Sequence, residues 1–256
     1  MLVTTQNNIF LRYSKAPISN GDIWIIHGFS ESGLSFKNVF ESSIAGVYNV
    51  WIPDLPGFGA SPYQDQLTTI HEYVELLTNL IGEKSKNQKK FLIGHSFGSV
   101  IACLLCEKPE LQISGLASVE GNLTEADFYF SGWAGQYEDG EQFQKKFKAL
   151  LLDKAKDRSE FEHYFAAATI ADPKALTALG RSSCDFSKSE DAGNRFLSVK
   201  CPIFYLWGDV DTPPITQKFI KERLLNNYHF AGGTHWMMKE YPVLFYSVVL
   251  SFLNQL

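Results

Sequence analysis

Phe91-Leu92-Ile93-Gly94-His95-Ser96-Phe97-Gly98 decides the reading of this chain. Three apolar residues run into a Gly-x-Ser-x-Gly segment, and the helix-like stretch Ser99 to Glu107 follows. That is a strand, a sharp turn and a helix, with a serine at the apex. A turn of this kind holds the serine in a strained backbone geometry and pushes its Oγ out over the sheet edge. Gly94 and Gly98 are needed because side chains there would collide with the neighbouring strand and helix. Ser96 is the candidate nucleophile.

Outward from the elbow, short apolar runs recur, each followed by polar or small residues: Ile23–Ile26, Val50–Ile52, Leu116–Val119 and Ile203–Trp207. Continuous apolar runs of this length suit strands buried on both faces, as in a parallel sheet. The first residues read as a hairpin, Leu2–Thr5 and Ile9–Tyr13 about a polar turn. Helical spacing is clearest at Ile70, Tyr73, Val74, Leu77, Leu80 and Ile81, with Thr69 and Glu72 as a capping box. Strands alternating with helices predict a parallel α/β sheet covered on both faces. Its ligands sit beyond the carboxyl ends of the strands, where His27, Asp54, Ser96, Glu120, Asp209 and Asp211 fall. From Asn122 to about Val199 no strand pattern occurs, and Phe143, Phe147, Leu150 and Leu151 repeat at helical spacing. This segment is expected to be a helical insertion that covers the site as a lid.

The 256 residues fit one large domain or a core with an insertion, and 45% apolar with 20% charged residues is ordinary for a soluble globular protein. A net charge of −5 without a long basic run disfavours nucleic acid as a partner. No secretory signal is visible at the N-terminus. Val243–Leu253 is too short an apolar stretch to span a bilayer, so no membrane association is expected. Of the four cysteines, Cys103, Cys106, Cys184 and Cys201, the first two form a C-x-x-C inside a helical pattern and read as small buried residues rather than redox or zinc ligands. A cytoplasmic location follows.

A serine hydroxyl needs a base, and the base needs an orienting carboxylate. His235, in Gly232-Gly233-Thr234-His235-Trp236, follows a strand-like segment and is freed by two glycines to reach Ser96. His95 is adjacent to the nucleophile and points away from it; His27 is expected to shape its loop. Three carboxylates compete to orient the base. Asp211, in Gly208-Asp209-Val210-Asp211, gives the order Ser, Asp, His. Glu120 follows the strand ending at Val119, and Asp209 is nearer its own strand. Asp211 is preferred, with Glu120 as the alternative acid. The oxyanion donors are expected to be the N–H groups of Phe97 and Phe29.

Together these residues resemble the α/β-hydrolase superfamily, in its capped, esterase-like branch. The resemblance rests on His27-Gly28-Phe29, Asp54-Leu55-Pro56-Gly57-Phe58-Gly59-Ala60-Ser61, the Gly94–Gly98 elbow, Gly208-x-x-Asp211, and His235 before the last helix. It implies an α/β-hydrolase fold, a mostly parallel eight-stranded sheet, with 1–121 and 200–256 as core and 122–199 as a helical cap between strands six and seven. Relatives of this layout include carboxylesterases, thioesterases, carbon–carbon bond hydrolases, epoxide hydrolases and haloalkane dehalogenases. The last two use an aspartate nucleophile, which Ser96 argues against, although Glu120 stands where some dehalogenases keep their acid. The expected activity is hydrolysis of a small, largely apolar carboxylic ester, with no metal or cofactor. The alternatives are a thioesterase, a carbon–carbon bond hydrolase, and a slow-turnover ligand-binding member. Phe128, Tyr129, Phe130 and Trp133 are read equally as acyl pocket or as cap core, and Trp236 is expected to pack over the site.

Overall fold

The computed structural model describes residues 1–187, 191–224 and 226–256. Eight strands form one sheet in the order β1-β2-β4-β3-β5-β6-β7-β8. They are β1 Leu2–Gln6, β2 Ile9–Ser14, β3 Asp22–Ile26, β4 Asn49–Pro53, β5 Lys90–His95, β6 Ile113–Val119, β7 Ile203–Gly208 and β8 Asn227–Phe230. The β1–β2 hairpin and its pairing to β4 are antiparallel, and every other pairing is parallel. Ile23 to Ile26 and Leu92 to Ile93 are buried on both sides of the sheet, as their unbroken apolar runs require.

Two groups of helices cover the faces. Helices α2 (Ile70–Lys84) and α3 (Phe97–Cys106) pack together, and α3 buries all but the last of its ten residues. Helices α1 (Ser43–Val47), α10 (Met237–Glu240) and α11 (Pro242–Leu253) group with a 3-10 helix at Gly33–Glu41. Glu72 accepts from the Thr69 N–H at 2.8 Å, the capping contact that starts α2 where the periodicity placed it. Helix α9 (Pro214–Arg223) joins β7 to β8.

Between β6 and β7 the described residues hold no strand. They form a short 3-10 helix, Glu125–Phe128, then α4 Tyr129–Gly135, α5 Gly140–Lys154, α6 Glu160–Ile170, α7 Pro173–Phe186 and α8 Asp191–Ser198. Phe143, Phe147 and Leu151 face inward on α5 and, with Phe161 and Tyr164 of α6, continue the sheet's apolar core into the insertion, where Phe29 meets Phe143 and Phe147. Helix α8 differs from the others. It returns to the sheet and packs on α3, with Arg195 paired to Glu107 and Phe196 edge-on to Tyr205 of β7 at 5.9 Å. No helix among the described residues is long and apolar enough to cross a membrane.

Candidate active site

Ser96 follows β5 with φ 51° and ψ −128°, a conformation that costs a residue with a side chain about 1–3 kcal/mol. Its surroundings hold it there. Its N–H donates to the Val119 carbonyl of β6 at 2.9 Å, and its own carbonyl accepts from the Ser99 N–H at 2.9 Å. A Cβ on Gly98 would stand 2.4 Å from the carbonyl oxygen of His27, just after β3, and one on Gly94 would stand 2.6 Å from Cα of Ser99. The two glycines let helix α3 start flush against the sheet, and the serine is left at the apex, half-buried. It opens on a cavity of about 370 Å³ shared by the sheet loops and the inserted helices, a size suited to a small organic ligand.

Two more residues with side chains take left-handed backbone at the ends of neighbouring strands: Ser30 (φ 59°) after β3 and Glu120 (φ 45°) after β6. The other such residues are Asn and Gln at turns elsewhere. Strained non-glycine backbone therefore gathers around this cavity, as it does at functional sites.

His235 reaches the cavity from the loop after β8, and Nδ1 of its ring faces Oε2 of Glu120 at 3.5 Å. Glu120 is buried and held tightly. Its N–H donates to Leu206 O at 2.8 Å, and its Oε1 accepts from the Gly208 N–H and the Thr212 hydroxyl, both at 2.6 Å. One carboxylate oxygen is thus consumed by the β7 loop and the other is left for the imidazole. Burial pulls the His235 pKa down, but hydrogen bonding and charge from Glu120, with Glu31 and Asp211, outweigh it and raise the pKa above its ordinary value. A 3.5 Å contact is at the outer limit of a hydrogen bond, and catalytic bonds of this kind commonly tighten when substrate binds.

Asp211, expected on the imidazole, is turned elsewhere. Its Oδ2 accepts from the main-chain N–H of His235 at 2.9 Å, and both its oxygens are held by Arg158 at 2.7 Å. Burial raises the Asp211 pKa, but Arg158 and the His235 N–H more than offset this and lower it. The reason for the displacement is the inserted helices, which bring Arg158 to the Asp211 loop from a turn 53 residues earlier in sequence. Asp209 is further out, accepting from the Gly232 N–H at 2.7 Å and facing His229 at 3.5 Å.

The N–H groups of Phe29 and Phe97 donate to no acceptor among the described residues, and both residues border the cavity beside Ser96. Phe97 is the first residue of α3, so its free donor is one of those every helix start leaves over. The carbonyl of Phe29 accepts from the Tyr164 hydroxyl of α6 at 2.9 Å, which fixes the loop from above.

His27 shapes its loop as expected, through Gly28 O at 2.8 Å and the Leu55 N–H at 2.9 Å. Asp54 ties the following loop by accepting from Gly33 and Ala60 N–H groups at 2.7 and 2.8 Å and by pairing with Arg12. His95 points away from the nucleophile: Nδ1 lies 3.1 Å from Glu31 Oε2, and Nε2 lies 2.9 Å from the His235 carbonyl. The other Glu31 oxygen accepts from the Trp236 indole at 2.6 Å. Glu31 carries no motif in the sequence, and its place three residues after Gly28 is the one signal it offers.

Of the aromatic residues proposed for the pocket, Tyr129, Phe130 and Trp236 line the cavity, and Phe128 and Trp133 do not. Trp133 sits edge-on to Phe143 at 5.2 Å within the insertion, and Phe128 sits edge-on to Phe97 at 6.4 Å. The wall is completed by Phe161 and Tyr164, whose rings meet Trp236 at 5.3 and 5.4 Å. Two cations also border it, Arg158 and Lys154. Among the described residues no cluster of His, Cys, Asp or Glu is placed to hold a metal ion, and all four cysteines are free thiols.

Comparison with known proteins agrees with this architecture. An uncharacterized hydrolase, YNR064C, of Saccharomyces cerevisiae is 22% identical over 231 residues, 86% of this chain and 76% of that protein. The crystal structure of the N-acyl homoserine lactonase AidH superposes with a TM-score of 0.75 at 16% identity, covering 99% of this chain and 97% of that one. A putative aryl esterase from Burkholderia cenocepacia gives 0.73 at 19% identity, covering 99% and 98%. At these identities the solved structures speak to the fold. The model of the α/β-hydrolase family matches residues 25–248, and this chain belongs to that family.

Proposed function

We propose that the protein is a serine hydrolase of small, largely apolar carboxylic esters, with Ser96, His235 and Glu120 as its triad. The observation that carries this reading is the convergence on one cavity of a strained serine, a histidine whose Nδ1 faces a buried carboxylate, and two unengaged main-chain donors. With Nδ1 toward Glu120, Nε2 is the nitrogen left for the serine proton. Ser96 Oγ attacks the ester carbonyl and His235 takes its proton. The Phe29 and Phe97 N–H groups receive the charge that develops on the carbonyl oxygen. His235 returns the proton to the departing alcohol, and water, activated by the same imidazole, releases the acid.

Sequence order favoured Asp211 as the orienting acid. The geometry supports Glu120, because Asp211 already answers to Arg158 and to the His235 N–H. The helices between β6 and β7 act as a cap in this reading, since residues of α4, α5 and α6 wall the cavity. The free thiols support a cytoplasmic location.

The test is activity-based labelling together with ester turnover. A fluorophosphonate probe should modify the full chain once, on Ser96, and Ser96→Ala should fold normally and hydrolyse p-nitrophenyl butyrate at no more than the rate of blank buffer. Labelling at another residue, or an active Ser96→Ala variant, overturns the assignment.

A further inference from the structure

Asp211 occupies the place in the sequence where the family resemblance puts the triad acid, yet it binds the main chain of His235 and not its ring. Its other partner is Arg158, from the turn between α5 and α6, which grips both carboxylate oxygens at 2.7 Å and also donates through Nε to Glu160 at 2.6 Å. We infer that Asp211 is a positioning residue that couples the seating of the inserted helices to the placement of the His235 base. This rests on the assignment of Glu120 as the orienting acid.

The main chain of His235 is held from two directions. On the sheet side its carbonyl accepts from His95, which Glu31 secures. On the insertion side its N–H is held by Asp211, which Arg158 secures. The sheet-side arm joins residues at the ends of neighbouring strands. The insertion-side arm is the one whose far end belongs to another element, so it is the arm that moves with the insertion. A second contact follows the same route: the Arg158 guanidinium lies 4.9 Å from the centre of the Phe161 ring, and that ring meets Trp236, the residue after the base.

The chemistry of the pair favours positioning over charge. A bidentate guanidinium–carboxylate contact fixes direction as well as distance. The side chains of Arg158 and Asp211 are 32% and 20% exposed, so solvent screens the pair and its contribution to fold stability is small. Asp211 adds less to the raised pKa of the imidazole than Glu120 and Glu31 do, and Glu120 is the carboxylate that faces the ring. A substrate that enters under the inserted helices therefore meets a base whose placement depends on how those helices sit.

The experiment uses the full chain and p-nitrophenyl butyrate, with kcat and KM measured across pH for Arg158→Gln, Arg158→Lys, Asp211→Asn, the double variant Arg158→Gln/Asp211→Asn, and Glu120→Gln, each confirmed folded by circular dichroism. Loss of placement should lower the plateau kcat about 10-fold in Arg158→Gln and in Asp211→Asn, given that misplacement by an ångström can cost up to about 100-fold. The double variant should fall no further than either single one, because both break one connection. Arg158→Lys should stay low, since an ammonium cannot reproduce the fork. The midpoint of the acid limb should rise slightly in Arg158→Gln, which leaves Asp211 uncompensated, and fall slightly in Asp211→Asn, although both plateaus drop. Glu120→Gln should lose about 10³–10⁴-fold, the scale of removing a triad acid. Wild-type kcat in Arg158→Gln, or multiplicative losses in the double variant, would sink the coupling and leave Glu120 in place. A 10³-fold loss in Asp211→Asn with near-normal Glu120→Gln would instead overturn the Glu120 assignment and the coupling together.

Discussion

His95 and His235 touch at a point that sequence spacing hides: Nε2 of His95 lies 2.9 Å from the main-chain carbonyl of His235, and the two rings stand 4.6 Å apart. Both partners of His95 are acceptors, a carbonyl on Nε2 and the Glu31 carboxylate on Nδ1. Burial pushes the Glu31 carboxyl up, but His95 and the Trp236 indole hold it well below the usual carboxylate range.

This pair sets the first expected outcome. Glu31→Ala strands a buried His95 and the Trp236 indole, and should cost about 3–5 kcal/mol of folding stability. Urea denaturation of wild type and variant measures it. Because the folded pKa of Glu31 is depressed, its contribution should be complete above about pH 4.5, near the unfolded value, and should fade as pH falls below that. An unchanged urea midpoint at pH 7 would refute a structural role for these Glu31 contacts.

The base sets the second. The His235 pKa is raised above 6.5, and a general base must be neutral to act. The acid limb of kcat/KM should accordingly have its midpoint above 6.5. Glu120→Gln removes the largest influence that raises it, so the limb of the residual activity should move to lower pH. A limb that stays in place in Glu120→Gln would mean another carboxylate faces the ring.

Tyr164 sets the third. Its hydroxyl holds the Phe29 carbonyl at 2.9 Å, and Tyr164→Phe deletes that bond while keeping the ring against Trp236. One hydrogen bond is worth about 0.5–1.5 kcal/mol, so kcat should fall by about 2–12-fold with KM little changed if the bond steadies the oxyanion loop. A change in KM alone would assign Tyr164 to substrate binding.

Acyl preference is the fourth. The cavity of about 370 Å³ is walled by Phe29, Phe130, Phe161 and Trp236, which favours short to medium apolar or aromatic acyl groups. Of its two cations, Arg158 is neutralised by Asp211 and Glu160. Comparing kcat/KM for acetyl, butyryl, octanoyl, benzoyl and succinyl esters of one alcohol should rank butyryl and benzoyl first, with succinyl penalised by desolvation of its carboxylate. A best rate with the succinyl ester would assign Lys154, whose ammonium lies 5.4 Å from the centre of the Phe161 ring, to reading an acid.

The strands were legible because burial on both faces leaves unbroken apolar runs such as Ile23–Ile26, and the elbow because two glycines are sterically compelled. The residues that contact His235 were harder to read. Whether Glu120 or Asp211 faces the ring depends on the left-handed backbone at Glu120 and on Arg158, which is distant in sequence. The aromatic run Phe128–Trp133 was ambiguous for a related reason: composition names the side chains of a helical turn, and only packing says which way each points.

Helix α8 packs on α3 and runs back along the sheet to β7, whose first residue Ile203 pairs with Leu116 of β6. Strand β6, helix α8 and strand β7 thus make a complete crossover by themselves, and α4 to α7 are a detour spliced into a unit that is already closed. The proposed reacting groups, Ser96, His235, Glu120 and the two main-chain donors, all lie on the sheet's own loops and on the start of α3, outside the detour, whereas Phe130, Lys154, Phe161 and Tyr164 lie on it. A lineage carrying this architecture can rewrite what it recognises without redrafting how it reacts, provided that whatever replaces α5 and α6 still offers Asp211 a cation.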